Sequence, residues 1–191
     1  MFDAQKNMRT LLMISLLLLC GCVIKSKNEI ISNEQSEIML GGARHLLWIT
    51  HDNERILLER FQKELERTYF ASSLSDPSEN AIVRFYKWSG AELVPNEDTF
   101  IVAAVTTNKK NREYYYQLLT FDPSKSVWTT WSYTPPDDKE IIVSDLKELK
   151  NAFKTMVEKK YFHRKELLSF SIAHDTIAEG KSSEMPSESA H

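Results

Sequence analysis

Four segments between residues 81 and 133 are rich in β-branched and aromatic side chains, and turn residues close each of them. Ala81 to Trp88 alternates and ends at Ser89-Gly90. Thr99 to Thr107 is almost wholly apolar and ends at Asn108-Lys109-Lys110-Asn111. Glu113 to Phe121 runs into Asp122-Pro123-Ser124-Lys125, with Asp and Pro where a type I turn prefers them. Val127 to Tyr133 is stopped by Pro135-Pro136. Runs of this kind are strands. Connections this short make sequential strands antiparallel neighbours. The unbroken apolar run 99–107 suits a strand covered on both faces.

Helical spacing flanks this meander. Leu57, Phe61, Leu65 and Tyr69 recur every four residues, with Ile56 and Leu58 beside them, which predicts a helix over 52–71. Glu59 and Lys63 lie four apart in the favourable order. Asp145 with Glu148 opens a second helix over 145–162. Its apolar face is Leu146, Leu149, Phe153, Met156, Val157 and Tyr161. Alternation from Leu167 to Ile172 hints at a fifth strand. The expected class is α+β: an antiparallel four- to five-stranded meander with two helices packed on one face.

The two cysteines, Cys20 and Cys22, both stand near the N-terminus. Lys6 and Arg9 precede an apolar run from Leu11 to Leu19, broken only by Ser15. A basic segment followed by a short apolar one is the pattern of a signal peptide. The run is short for a transmembrane helix, which needs about 20 apolar residues. Met8 offers a second start and a shorter basic segment. The run ends in Leu19-Cys20-Gly21-Cys22, which resembles the lipobox of bacterial lipoproteins. A leucine stands three residues before the modified cysteine and a small residue just before it. Cys20 occupies a position where Ala or Ser is commoner.

The resemblance implies cleavage before Cys22, diacylation of its sulfur and acylation of its amine. Several acyl chains anchor firmly where one is marginal. Val23 stands where inner-membrane lipoproteins carry Asp, which implies the outer membrane with the domain facing the periplasm. The expected organisation is a signal peptide over 1–21, a lipidated tether over 22–43, a globular domain over 44–173 and a disordered tail over 174–191. A mature chain of this kind keeps no free thiol, so cysteine nucleophiles, Cys-based zinc sites and redox pairs fall away.

The formal net charge is −3, which argues against nucleic acid as a partner. No metalloprotease helix motif, nucleophile elbow or Gly-rich phosphate loop is present. His45 and His51 are six apart, the wrong spacing for a helical metal pair. His51-Asp52 reads as a capping segment before it reads as an acid–base pair. We therefore expect no catalytic residue, no metal and no cofactor.

Two features point to binding. A sheet with one solvated face turns half its aromatics outward, and exposed Tyr and Trp are enriched at binding hot spots. Pairing of the same rings across strands is the structural alternative. A basic run, Lys147, Lys150, Lys154, Lys159, Lys160, Arg164 and Lys165, suits an acidic partner or anionic lipid, or simply a solvated helix face. The candidate partner-binding residues are Tyr86, Trp88, Tyr115, Trp128, Trp131, Lys150 and Lys154.

Size, anchoring and missing catalytic motifs together resemble the small immunity lipoproteins that accompany secreted lipase or cell-wall-degrading effectors of type VI secretion systems. That resemblance implies a periplasmic protein partner, a toxic effector, and no enzymatic activity. Two further readings stand beside it: an accessory lipoprotein of an envelope secretion or assembly complex, and an envelope hydrolase.

Overall fold

The computed structural model describes residues 24–76, 80–89, 93–106, 112–133, 140–159 and 162–173. The signal segment 1–21, Cys22 and the tail 174–191 lie outside the described residues. Eleven strands run in chain order: β1 (Ile24–Ser26), β2 (His45–Ile49), β3 (Arg55–Arg60), β4 (Tyr69–Ser73), β5 (Asn80–Lys87), β6 (Asp98–Thr106), β7 (Tyr114–Asp122), β8 (Val127–Tyr133), β9 (Ile141–Ile142), β10 (Phe162–Glu166) and β11 (Ser169–Ile172). One α-helix, α1 (Leu146–Glu158), lies between β9 and β10.

Strands β2 to β8 pair in sequence, each antiparallel to the next. β10 then pairs with β8, while β11 pairs with β2. These last two strands are one stretch of chain joined through Leu167-Leu168. The Leu167 amide donates to the Trp128 carbonyl at 2.9 Å, and the Leu168 amide donates to the Ile49 carbonyl at 3.1 Å. The meander thus closes on itself as an antiparallel barrel of eight staves, with β10–β11 as the eighth. Closure removes the unpaired edges that an open sheet exposes.

The closing strand changes face at the joint. Lys165 pairs with Thr130 and Phe170 pairs with Trp48, and both partners lie on the lumen side of their strands. Those two positions are an odd number of residues apart, so one residue is inserted between them. That is a bulge, the usual device for turning a strand at a barrel corner.

The structure corrects the expected architecture. Instead of a four- to five-stranded meander carrying two helices on one face, eleven strands and one α-helix are present among the described residues. The helix expected over 52–71 is instead β3, a short 3-10 turn (Lys63–Leu65) and β4. Its every-fourth-residue stripe is a coincidence of two strands. Ile56 and Leu58 are buried in the lumen while Leu57 faces out, and Leu65 is 44% exposed. Asn53, at φ +64°, makes the turn that a helix would forbid. The second helix forms over Leu146–Glu158, shorter than the expected 145–162 because Phe162 opens β10, and it starts at an Asp145 carboxylate that accepts from the Glu148 amide at 2.8 Å.

The lumen is filled with side chains. Trp48, Tyr69, Phe85, Phe100, Trp128 and Phe170 form an aromatic block inside the barrel. Phe85 of β5 meets Trp48 of β2 at 6.4 Å and Phe170 of β11 at 5.8 Å between centroids. Contacts between such distant staves span the lumen, as an eight-stranded barrel allows. A second core lies outside the wall, where Leu149, Phe153 and Met156 of α1 pack on Ile101, Tyr116, Leu118 and Trp131. β6 is therefore covered on both faces, as its apolar run requires.

Residues 24–43 are not a free tether. β1 pairs with β7 and β9, and Ile24, Ile31 and Met39 are buried. Lys25 sits between Glu140 at 2.5 Å and Glu113 at 3.6 Å. The Glu140 hydrogen bond, more than any other contact, holds its pKa above the ordinary lysine value. The Glu37 amide donates to the Phe85 carbonyl, and the Met39 amide donates to the Tyr69 hydroxyl at 2.8 Å. Met39 joins the luminal cluster. The segment is a strap that crosses the outer wall and plugs one end of the barrel.

Candidate protein-binding surface

The aromatic candidates are mostly spent inside the fold. Trp128 lies in the lumen, stacked on Phe121 at 4.5 Å and edge-on to Phe170 at 5.0 Å. Trp131 is on the outer face under the Arg164 guanidinium, its indole N–H donating to the Thr120 hydroxyl at 3.0 Å. Tyr115 is buried, and its hydroxyl donates to Glu113 at 2.8 Å. Burial first, and then this bond, pushes the Tyr115 pKa up. Trp88 is buried in the outer core. Tyr86 is half-buried beside it.

Three of the seven candidates do come together. Lys150 of α1 donates to the Tyr86 hydroxyl at 2.8 Å and lies 4.8 Å above the Tyr86 ring and 5.6 Å above Trp88. This cluster fastens α1 to the end of β5, and it uses the lysine in doing so. Lys154 is exposed on the helix, apart from those contacts. Together these seven residues present little open aromatic surface.

A part-buried apolar face lies on the other side of the barrel. Leu47 and Ile49 of β2, Leu57 of β3, Phe70 of β4 and Ile82 of β5 alternate with lumen residues and so point outward. Each is half-buried. Register sets Leu47 beside Leu57 and Phe70 beside Ile82. None of the five packs against either core cluster. The helical spacing over 52–71 hides this face in the sequence. The signal was present in Leu46-Leu47-Trp48-Ile49 and Ile56-Leu57-Leu58, apolar at consecutive positions, as strands with two apolar faces are.

A groove of about 440 Å³ opens at one end of this wall, lined by Arg44, Glu59, Arg60, Phe61, Gln62 and Phe70. Arg44 is tied to Glu59 at 2.9 Å, and the His45 imidazole lies 3.8 Å from the same carboxylate. Arg60 pairs in register with Tyr69, which places it at the rim of the lumen. No described residue accepts a hydrogen bond from its guanidinium.

The histidine–aspartate pair sits on the β2–β3 turn. His51 Nε2 is 2.9 Å from Asp52 and 2.9 Å from the Lys165 amine. No group of three or more His, Cys, Asp or Glu able to hold a metal ion occurs among the described residues. Comparisons with family models, with curated proteins and with solved structures each return no match.

Proposed function

We propose that the chain is a lipid-anchored envelope protein that binds another protein through the outer wall of β2 to β5. The observation that carries this reading is the contrast between the two sides of the barrel. The β6–β8 side is covered by α1, β1 and β9, whereas five half-buried apolar side chains on the β2–β5 side pack against neither core cluster. Contiguous exposed apolar patches mark interaction sites.

The packed lumen favours a macromolecular partner over a small cargo, since large aromatic side chains fill it. It also favours a barrel surrounded by water: a membrane-spanning barrel carries a polar lumen instead. Anchoring rests on the lipobox resemblance at Cys22. The partner class, a secreted toxic effector neutralised in the periplasm, rests on the resemblance to small immunity lipoproteins.

Two measurements test the reading. Palmitate labelling should mark the wild-type chain and not Cys22→Ser, and only the former should fractionate with outer membrane. The full chain, extracted in mild detergent, should co-purify one stoichiometric protein, and expression of the chain should protect cells from that protein. Recovery of several envelope-complex subunits instead would point to an assembly role.

A further inference from the structure

We propose that the groove beside Arg60 is a carboxylate-recognition site, taking an acidic side chain of the partner next to an apolar one. The inference rests on the protein-binding reading above and names the chemistry the partner must carry.

Arg60 and Arg44 both line the groove, with Glu59 as the sole carboxylate of its lining, and the Arg60 guanidinium lies at the barrel rim beside Gly42. Arg44 is already engaged with that carboxylate. Arg60 has no acceptor among the described residues, although it is half-buried at the rim. A partly desolvated guanidinium with its fork unused is a site for a planar anion. The floor is apolar: Phe61 and Phe70 line the same space, and Phe70 continues into the bare wall through Ile82. Gln62 adds an amide that can donate to the second carboxylate oxygen. The lining therefore brings a guanidinium residue with an unused fork, an amide residue and two aromatic residues to one small space. Charge complementarity selects an acidic residue, and the rings select an apolar neighbour. A phosphate-bearing lipid surface fits less well, because the aromatic floor recedes into a groove and carries one uncommitted cation.

The test is selection of random displayed heptapeptides on the purified full chain. Selected peptides should pair Asp or Glu with an aromatic or aliphatic residue. Their binding should fall at least about tenfold on Arg60→Gln, the size of one charge-assisted hydrogen bond. Arg60→Lys should recover part of it, and Arg55→Gln on the same strand should change nothing. The Arg60→Gln chain should keep the wild-type unfolding midpoint, since its fork bonds nothing in the fold. Peptides without an acidic residue, binding indifferent to Arg60→Gln, or no peptide at all would overturn the inference. So would Arg60-dependent capture of phosphatidylglycerol vesicles. A photo-crosslinker at Phe70 that reacts with residues 174–191 of the same chain would overturn it too. If the natural partner is lost on Leu57→Lys yet kept on Arg60→Gln, the groove assignment fails and the protein-binding reading stands.

Discussion

Leu167 and Leu168 send adjacent backbone amides to opposite neighbours, one to Trp128 of β8 and the other to Ile49 of β2. That divergence converts a meander into a closed barrel. Phe170, two residues on, then reaches back into the lumen against Trp128, Trp48 and Phe85. Phe170→Ala removes the ring that ties the closing strand to three others. We expect a loss of about 3–5 kcal/mol in urea unfolding, the usual cost of emptying a buried aromatic site. A loss below about 1 kcal/mol would mean that the seam contributes little.

The strap makes a separate prediction. In hydrogen exchange, the Met39 and Glu37 amides, bonded to the Tyr69 hydroxyl and the Phe85 carbonyl, should be protected like barrel amides. A flexible tether would exchange within the dead time. If Cys22 carries lipid, this docking leaves only Val23 between the modified residue and the barrel wall.

The cap of α1 should be worth about 1 kcal/mol. Asp145 accepts from the Glu148 amide, and Glu148 returns a carboxylate to the Ser144 amide at 2.9 Å. Asp145→Ala should lower the urea midpoint by that amount, while Asp145→Asn should lose less.

Alkaline pH should unfold the protein. Burial, the largest cause for each, raises the pKa of Tyr115 and Tyr116 above the ordinary 10.0. For Tyr115 the Glu113 hydrogen bond adds to it. The folded state then holds its phenolic protons while the unfolded chain releases them. Stability from these groups is complete below about pH 10 and falls as pH rises toward their folded values. Absorbance at 295 nm and circular dichroism followed together should show these tyrosines ionising only with loss of structure. Ionisation in an intact barrel would contradict it.

Much of the sheet was legible in the sequence because β5 to β8 are rich in β-branched and aromatic residues and end in clear turn residues. α1 was legible because Asp145 and Glu148 cap an amphipathic run. What escaped was non-local. β2 and β3 are apolar on both faces, so their period is blurred, and Leu57, Phe61, Leu65 and Tyr69 imitate a helix across a strand, a turn and a strand. Closure through Leu167-Leu168 depends on a bulge that no local pattern announces. Residue type alone marks the aromatic candidates. Trp128 and Trp131 stand three apart on one strand, which puts them on opposite faces, and it took the closed barrel to show that both faces are covered there.

The central claim is that the wall of β2 to β5 is the binding face, and one comparison tests it most directly. The full chain and its Leu57→Lys, Ile82→Lys and Lys154→Ala variants, each checked for wild-type circular dichroism, would be used to co-purify protein from solubilised envelopes. The account predicts that a stoichiometric partner is retained by wild type and Lys154→Ala and lost from both wall variants. Retention by Leu57→Lys and Ile82→Lys, with loss from Lys154→Ala, would place the binding face on the helix and contradict it.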